Sequence, residues 1–271
     1  KASSVTVTSS EKVTFSDIDA ADDATLDFTG VTGELSVTVD TTNDYTVKGS
    51  STAQSTIIMG TGLDADDVIT GGSHATDKLT FTANGQTATT GKLSISGIEE
   101  IHALSTAATT IDATSISGGT LRIFGDGTNT GDSSTSLTVT NLAAASTIGI
   151  GSNVEGTNDT YGAVTATTIT ASLADATGSS DELTFELGNR GADGDIDTLI
   201  ATTGIETVTI KDSANADQDA DLGVAGVDAT KIILTGGKSG EELDLTDGGN
   251  TTLSATTTTV DASAFKGNID V

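Results

Sequence analysis

The sequence has no cysteine, no proline and no tryptophan, and only 3% of its 271 residues are aromatic. Without cysteine there is no disulfide framework, no thiolate zinc site and no thiol catalysis. Cations are scarce as well: 11 Lys and Arg stand against 39 Asp and Glu, giving a net charge of −28 and a pI near 4.1. The few cations are scattered singly, from Lys12 and Lys48 to Lys231 and Lys266. Phosphate neutralisation needs clustered Lys and Arg, so nucleic acid is excluded as a partner, and anionic membrane surfaces fall by the same sign. No run of ~18 apolar residues is present, which excludes a membrane-spanning segment. Missing proline suits stacked backbone ladders, which its absent N–H would interrupt. The chain opens without Met and without a charged-then-apolar leader, so it is read as a processed or excised piece of a polypeptide that continues past Val271.

What is abundant is Thr, about a fifth of the residues and far above ordinary usage, together with 32 Gly. Three explanations compete for so much carboxylate: disorder, salt adaptation and divalent-cation binding. Recurrent β-branched runs argue against disorder. Examples are Ser36-Val37-Thr38-Val39, Leu79-Thr80-Phe81, Leu137-Thr138-Val139, Val208-Thr209-Ile210 and Ile232-Ile233-Leu234. Such runs, bounded by Gly, Asp, Asn and Ser, are strand signals, whereas no stretch carries a helical apolar stripe. The chain is therefore expected to be all-β. Self-repulsion at this charge makes folding dependent on something that neutralises it.

Repetition selects the architecture. An Asp-x-apolar element appears at Asp66-Asp67-Val68, Asp77-Lys78-Leu79, Asp181-Glu182-Leu183 and Asp197-Thr198-Leu199. Gly-Ile-Glu follows at Gly97-Ile98-Glu99 and Gly204-Ile205-Glu206, and apolar-Asp-Ala at Asp112, Asp228 and Asp261. The order of elements is kept while the separation between copies drifts, as when loops take insertions and strands stay in register. That behaviour indicates a parallel β-solenoid with rungs of roughly 20–25 residues. Val, Ile and Leu then face inward, Thr and Ser cover the outside, and Gly turns the corners. Residues 1–55 are read as a β-rich N-terminal module, either separate from the solenoid or continuous with it, and residues 56–271 as the repetitive solenoid itself.

Candidate chemistry lies in the acidic turns. Hard cations such as Ca²⁺ take carboxylate and carbonyl oxygens, which Gly-rich acidic turns supply. Gly60-Thr61-Gly62-Leu63-Asp64-Ala65-Asp66-Asp67-Val68 offers Asp64, Asp66 and Asp67. Asp77 and Asp181 occupy the same Asp-x-apolar element. Asp193, Asp195 and Asp197 alternate along one stretch and would converge on one strand face. Asp217, Asp219 and Asp221 share that spacing but lack the Gly and Glu of an EF-hand loop. These eleven aspartates are the expected calcium ligands. The acidic stretches at Asp17–Asp23 and Gly125–Asp132 read as solvated turns.

Catalysis finds no support, and no catalytic residue or organic cofactor is expected. His74 and His102 stand apart from any nucleophile elbow or zinc helix and read as solvated loop residues. Glycoside chemistry wants aromatic platforms alongside paired acids, and a polysaccharide lyase wants an arginine cluster where only Arg122 and Arg190 exist. Asn158-Asp159-Thr160 and Asn250-Thr251-Thr252 match the glycosylation sequon, as chance allows in so Thr-rich a chain.

The acidic turn at 60–72 resembles the RTX calcium repeat, with Asp66 at the calcium Asp and Asp64 where that repeat has Gly. Together with Gly-Ile-Glu-Thr-Val-Thr-Ile at 204–210 and Val-Asp-Ala-Ser-Ala-Phe-Lys-Gly-Asn at 260–268, it resembles the repeats of Caulobacter-type crystalline surface-layer proteins and RTX-like secreted proteins. That resemblance implies a right-handed β-solenoid, type I export, calcium-dependent folding and an extracellular location on the cell surface. It also implies self-assembly into a structural lattice (S-layer) or filament, with cell-surface polysaccharide or lipopolysaccharide reached through another domain. The alternative reading is the stalk of a large RTX adhesin.

Overall fold

The structure, a computed structural model, describes residues 1–39, 43–83, 85, 87, 91–105, 107–124, 136–150, 168–188, 196–213, 220–240, 242–246 and 253–270. The all-β expectation holds: parallel strands stack as a β-solenoid. The one helical turn among the described residues is the 3-10 segment Ala113–Ser115. None of the described helices is long and apolar enough to cross a membrane.

The chain divides into two compact units, Lys1–Leu104 with Ile111–Leu121, and Ser105–Thr110 with Arg122–Val271. The first holds β1 (Ser4–Ser9), β2 (Val13–Phe15), β3 (Ala24–Val31), β4 (Leu35–Thr38), β5 (Tyr45–Lys48) and β6 (Ser55–Gly60). It continues with β7 (Val68–Thr70), β8 (Lys78–Ala83), β9 (Ser94–Ser96) and β10 (Glu100–Ser105). After β11 (Thr109–Asp112) comes β12 (Ile116–Ser117). Odd strands form one sheet in the order β1-β3-β5-β7-β9, closed by β12, and β2-β4-β6-β8-β10 run in another. A rung is thus one strand from each. The ladders pass through residue 55 without a break, since β4 pairs with β6 and β5 with β7.

After β13 (Thr120–Phe124), the second unit holds β14 (Ser136–Leu142), β15 (Thr147–Ile150), β16 (Thr168–Leu173), β17 (Glu182–Leu187) and β18 (Ile196–Thr202). The remainder are β19 (Thr207–Asp212), β20 (Ala220–Val227), β21 (Lys231–Gly236), β22 (Glu242–Asp244), β23 (Thr259–Phe265) and β24 (Asn268–Asp270). Here β15-β17-β19-β21-β23 form one sheet and β14-β16-β18-β20-β22-β24 another.

Register explains the stacking. Side chains alternate across a strand, so in-register parallel pairing makes columns of like residues. One inward column runs Leu26, Val47, Ile69, Ile95, and another Ile148, Phe185, Ile210, Leu234. All eight are buried, each burial contributing about 1.5–3 kcal/mol. Phe28, Phe81 and Phe185 are buried plugs, and Phe15 packs against Phe28 with ring centroids 5.8 Å apart. Outward positions carry Thr14, Ser36, Thr56 and Lys78 on successive rungs.

Rung length differs between the units. Corner contacts in the first unit join residues 22 apart. In the second they join residues 24 to 28 apart, the longest of them passing the span expected from the sequence. The extra residues enter corners, where the ladder does not constrain the chain. Gly236 shows how tight a corner can be: φ is +81° and a Cβ would lie 1.9 Å from the Asp212 carbonyl oxygen, so only Gly fits.

Candidate functional site

The described aspartates of the acidic turns hold corners together. In the loop between β6 and β7, Asp67 is buried, and its Oδ1 accepts the Tyr45 amide of the preceding rung at 2.7 Å. Its Oδ2 accepts the Asp64 amide at 3.0 Å, and Asp64 Oδ1 accepts the Asp66 amide at 3.0 Å. Asp64 is half-buried and Asp66 is exposed. The structure therefore brings Asp64, Asp66 and Asp67 into one loop, as their spacing requires. Burial pushes the Asp67 carboxyl up to about 6, against the two amide bonds that lower it, with the Asp64 and Asp44 charges adding to the rise.

Asp44 lies one rung earlier at this corner, and its amide donates to Asp22 Oδ1 at 3.1 Å. Burial raises the Asp44 carboxyl, and the charges of Asp22, Asp64, Asp66 and Asp23 raise it further. Carboxylates therefore crowd one corner over successive rungs.

Asp77 is also buried, and its carboxylate accepts the Ser55 amide at 2.6 Å and the Gly72 amide at 2.8 Å. Its own amide donates to Glu99 Oε2 at 2.9 Å, and its carbonyl accepts the Glu99 and Glu100 amides. Asp181 repeats the pattern in the second unit. Its carboxylate accepts the Gly178 amide at 3.0 Å, its amide donates to Glu206 Oε2 at 2.9 Å, and its carbonyl accepts the Glu206 and Thr207 amides. The Gly-Ile-Glu elements supply these glutamates. Gly97 and Gly204 take φ of +60° and +67°, Ile98 and Ile205 plug the core, and the Glu side chain turns back one rung. Glu99 and Glu206 were visible as repeat residues. Their function needed the rung length, which places each opposite an Asp of the rung before.

Asp193, Asp195, Asp217 and Asp219 lie outside the described residues, as do the Gly125–Asp132 stretch and the sequons at Asn158 and Asn250. Asp197 and Asp221 are partners in the ladder of β18 and β20. That column continues: Asp221 pairs with Asp244 and Asp244 with Asp270. Four aspartates thus occupy one register position on four successive strands, about 4.8 Å apart. Asp244 and Asp270 carry no mark in the sequence that links them to Asp221; only the ladder does. Asp244 Oδ1 accepts the Thr246 amide and hydroxyl, both at 2.6 Å. The same Asp-x-Thr/Ser staple closes Asp27–Thr29, Asp112–Thr114, Asp175–Thr177 and Asp261–Ser263. At Asp27, Asp175 and Asp261 the hydroxyl bond holds the carboxyl below its usual range. Among the described residues, no group of three or more His, Cys, Asp or Glu stands ready-made to hold a metal ion.

A second polar cluster was not foreseen. Glu186 on β17 accepts Arg122 Nη2 at 2.7 Å, Lys211 Nζ at 2.7 Å and Ser213 Oγ at 2.8 Å. Burial raises this carboxyl, but the bonds from Lys211, Ser213 and Arg122 outweigh it and bring it down to about 2. Arg122, from β13, reaches Glu186 past Gly149 of β15, where a Cβ would lie 2.5 Å from Arg122 Cγ. The expected loop histidines also need correction in one case. His102 lies in β10, is buried, and its Nε2 sits 3.1 Å from Glu100 Oε2, whereas His74 is exposed beside Thr76.

In comparisons with known proteins, no family model, curated protein or solved structure matches this chain.

Proposed function

We propose that this solenoid is a structural, non-catalytic element of an extracellular cell-surface lattice, stabilised by calcium and built from copies of itself. The aspartate column at Asp221, Asp244 and Asp270, in register on three neighbouring strands, is the observation that carries the reading. Neighbouring charges one strand apart repel by about 1–3 kcal/mol per pair at effective dielectrics between water and a protein surface. A hard divalent cation removes that repulsion and takes carboxylate oxygens as ligands. Asp64 and Asp66, with Asp22 and Asp44 beside them, form the second place where calcium would relieve crowding. Asp67, Asp77 and Asp181 already bind backbone amides and serve the corners. Self-assembly enters the proposal through the resemblance of the repeats to those of surface-layer proteins. Type I export and attachment through polysaccharide or lipopolysaccharide belong to the same proposal.

Negative-stain microscopy and thermal melting, each with calcium and with chelator, test it. Ordered arrays that form in calcium and dissolve in chelator, with a lower Tm, are the expected result. Assembly and Tm that ignore calcium would remove the ion from the account. The second reading, an adhesin stalk, is favoured by the recurrence of one corner lock at Asp77/Glu99 and Asp181/Glu206, a device that rungs can repeat. Elongated monomers in calcium that never form arrays would select it.

A further inference from the structure

We draw no further inference here: the strongest candidate, the crowded carboxylate corner of Asp22, Asp44 and Asp66 in the first unit, belongs to the calcium reading already proposed, and no second feature of the structure identifies a ligand there.

Discussion

Asp77 and Glu99 form a reciprocal lock between successive rungs. The Asp77 amide donates to Glu99 Oε2 at 2.9 Å, while the Asp77 carbonyl accepts the Glu99 amide at 3.0 Å. The Asp77 carboxylate, fully buried, binds the Ser55 and Gly72 amides at the same corner. One aspartate thus ties its corner to the rung before it and the rung after it.

Asp77→Ala strands both amides away from water, so it is expected to lower stability by about 2–4 kcal/mol. Asp77→Asn keeps one acceptor and should cost less. Urea midpoints of the two variants measure this, and equal midpoints for Asp77→Ala and the parent chain would show that the lock carries no weight.

Gly149→Ala is expected to destabilise by about 1–3 kcal/mol, because the new methyl meets Arg122 at the centre of its path to Glu186. In an Arg122→Ala background the same change should cost far less. A double-mutant cycle reads the coupling; strictly additive effects would mean that Arg122 does not need the gap.

Glu186 makes stability fall in acid. Its folded carboxyl lies at about 2, below the ordinary 4.5. The native state thus holds its charge where the unfolded chain takes up a proton, and the contribution is complete above pH 4.5 and lost between about 4.5 and 2. It amounts to at most about 3 kcal/mol. Asp67 acts with the opposite sign: its carboxyl is raised to about 6 from 3.8, so its ionisation removes stability as pH rises through that window. Unfolding free energies of the parent and Glu186→Gln between pH 2 and 6 should converge at the acid end. A constant gap across that range would contradict the assignment.

Thr202 lies buried in β18, in register with Ala171 and Val227, and its hydroxyl has no hydrogen-bond partner among the described residues. Replacing it with the isosteric Val removes a desolvated hydroxyl and should stabilise the chain by about 1–2 kcal/mol. A fall in Tm for Thr202→Val would reveal a partner for that oxygen.

The all-β class and the inward columns were legible because a strand's side chains repeat every two residues, a local property. Leu79-Thr80-Phe81 and Val208-Thr209-Ile210 show their buried faces by alternation alone. The repeats were legible for the same reason: Gly97 and Gly204 mark corners wherever they fall. The site was only partly legible. Asp64, Asp66 and Asp67 are neighbours in sequence and remain neighbours in one loop, whereas the Asp221–Asp244–Asp270 column and the Arg122–Glu186–Lys211 cluster join residues from different rungs.

Composition and alternation by themselves determined that this chain stacks short strands, buries Val, Ile, Leu and Phe, and carries its charge at turns and on outer faces. Tertiary structure decided what each carboxylate meets. Asp67 and Asp77 became buried acceptors of backbone amides, while Asp221 and Asp244 came to stand in register on adjacent strands, with Asp244 held by Thr246. The cause is register, because the number of residues in each corner sets which side chains stand opposite one another. Corner length is free to vary without disturbing the alternation on either side.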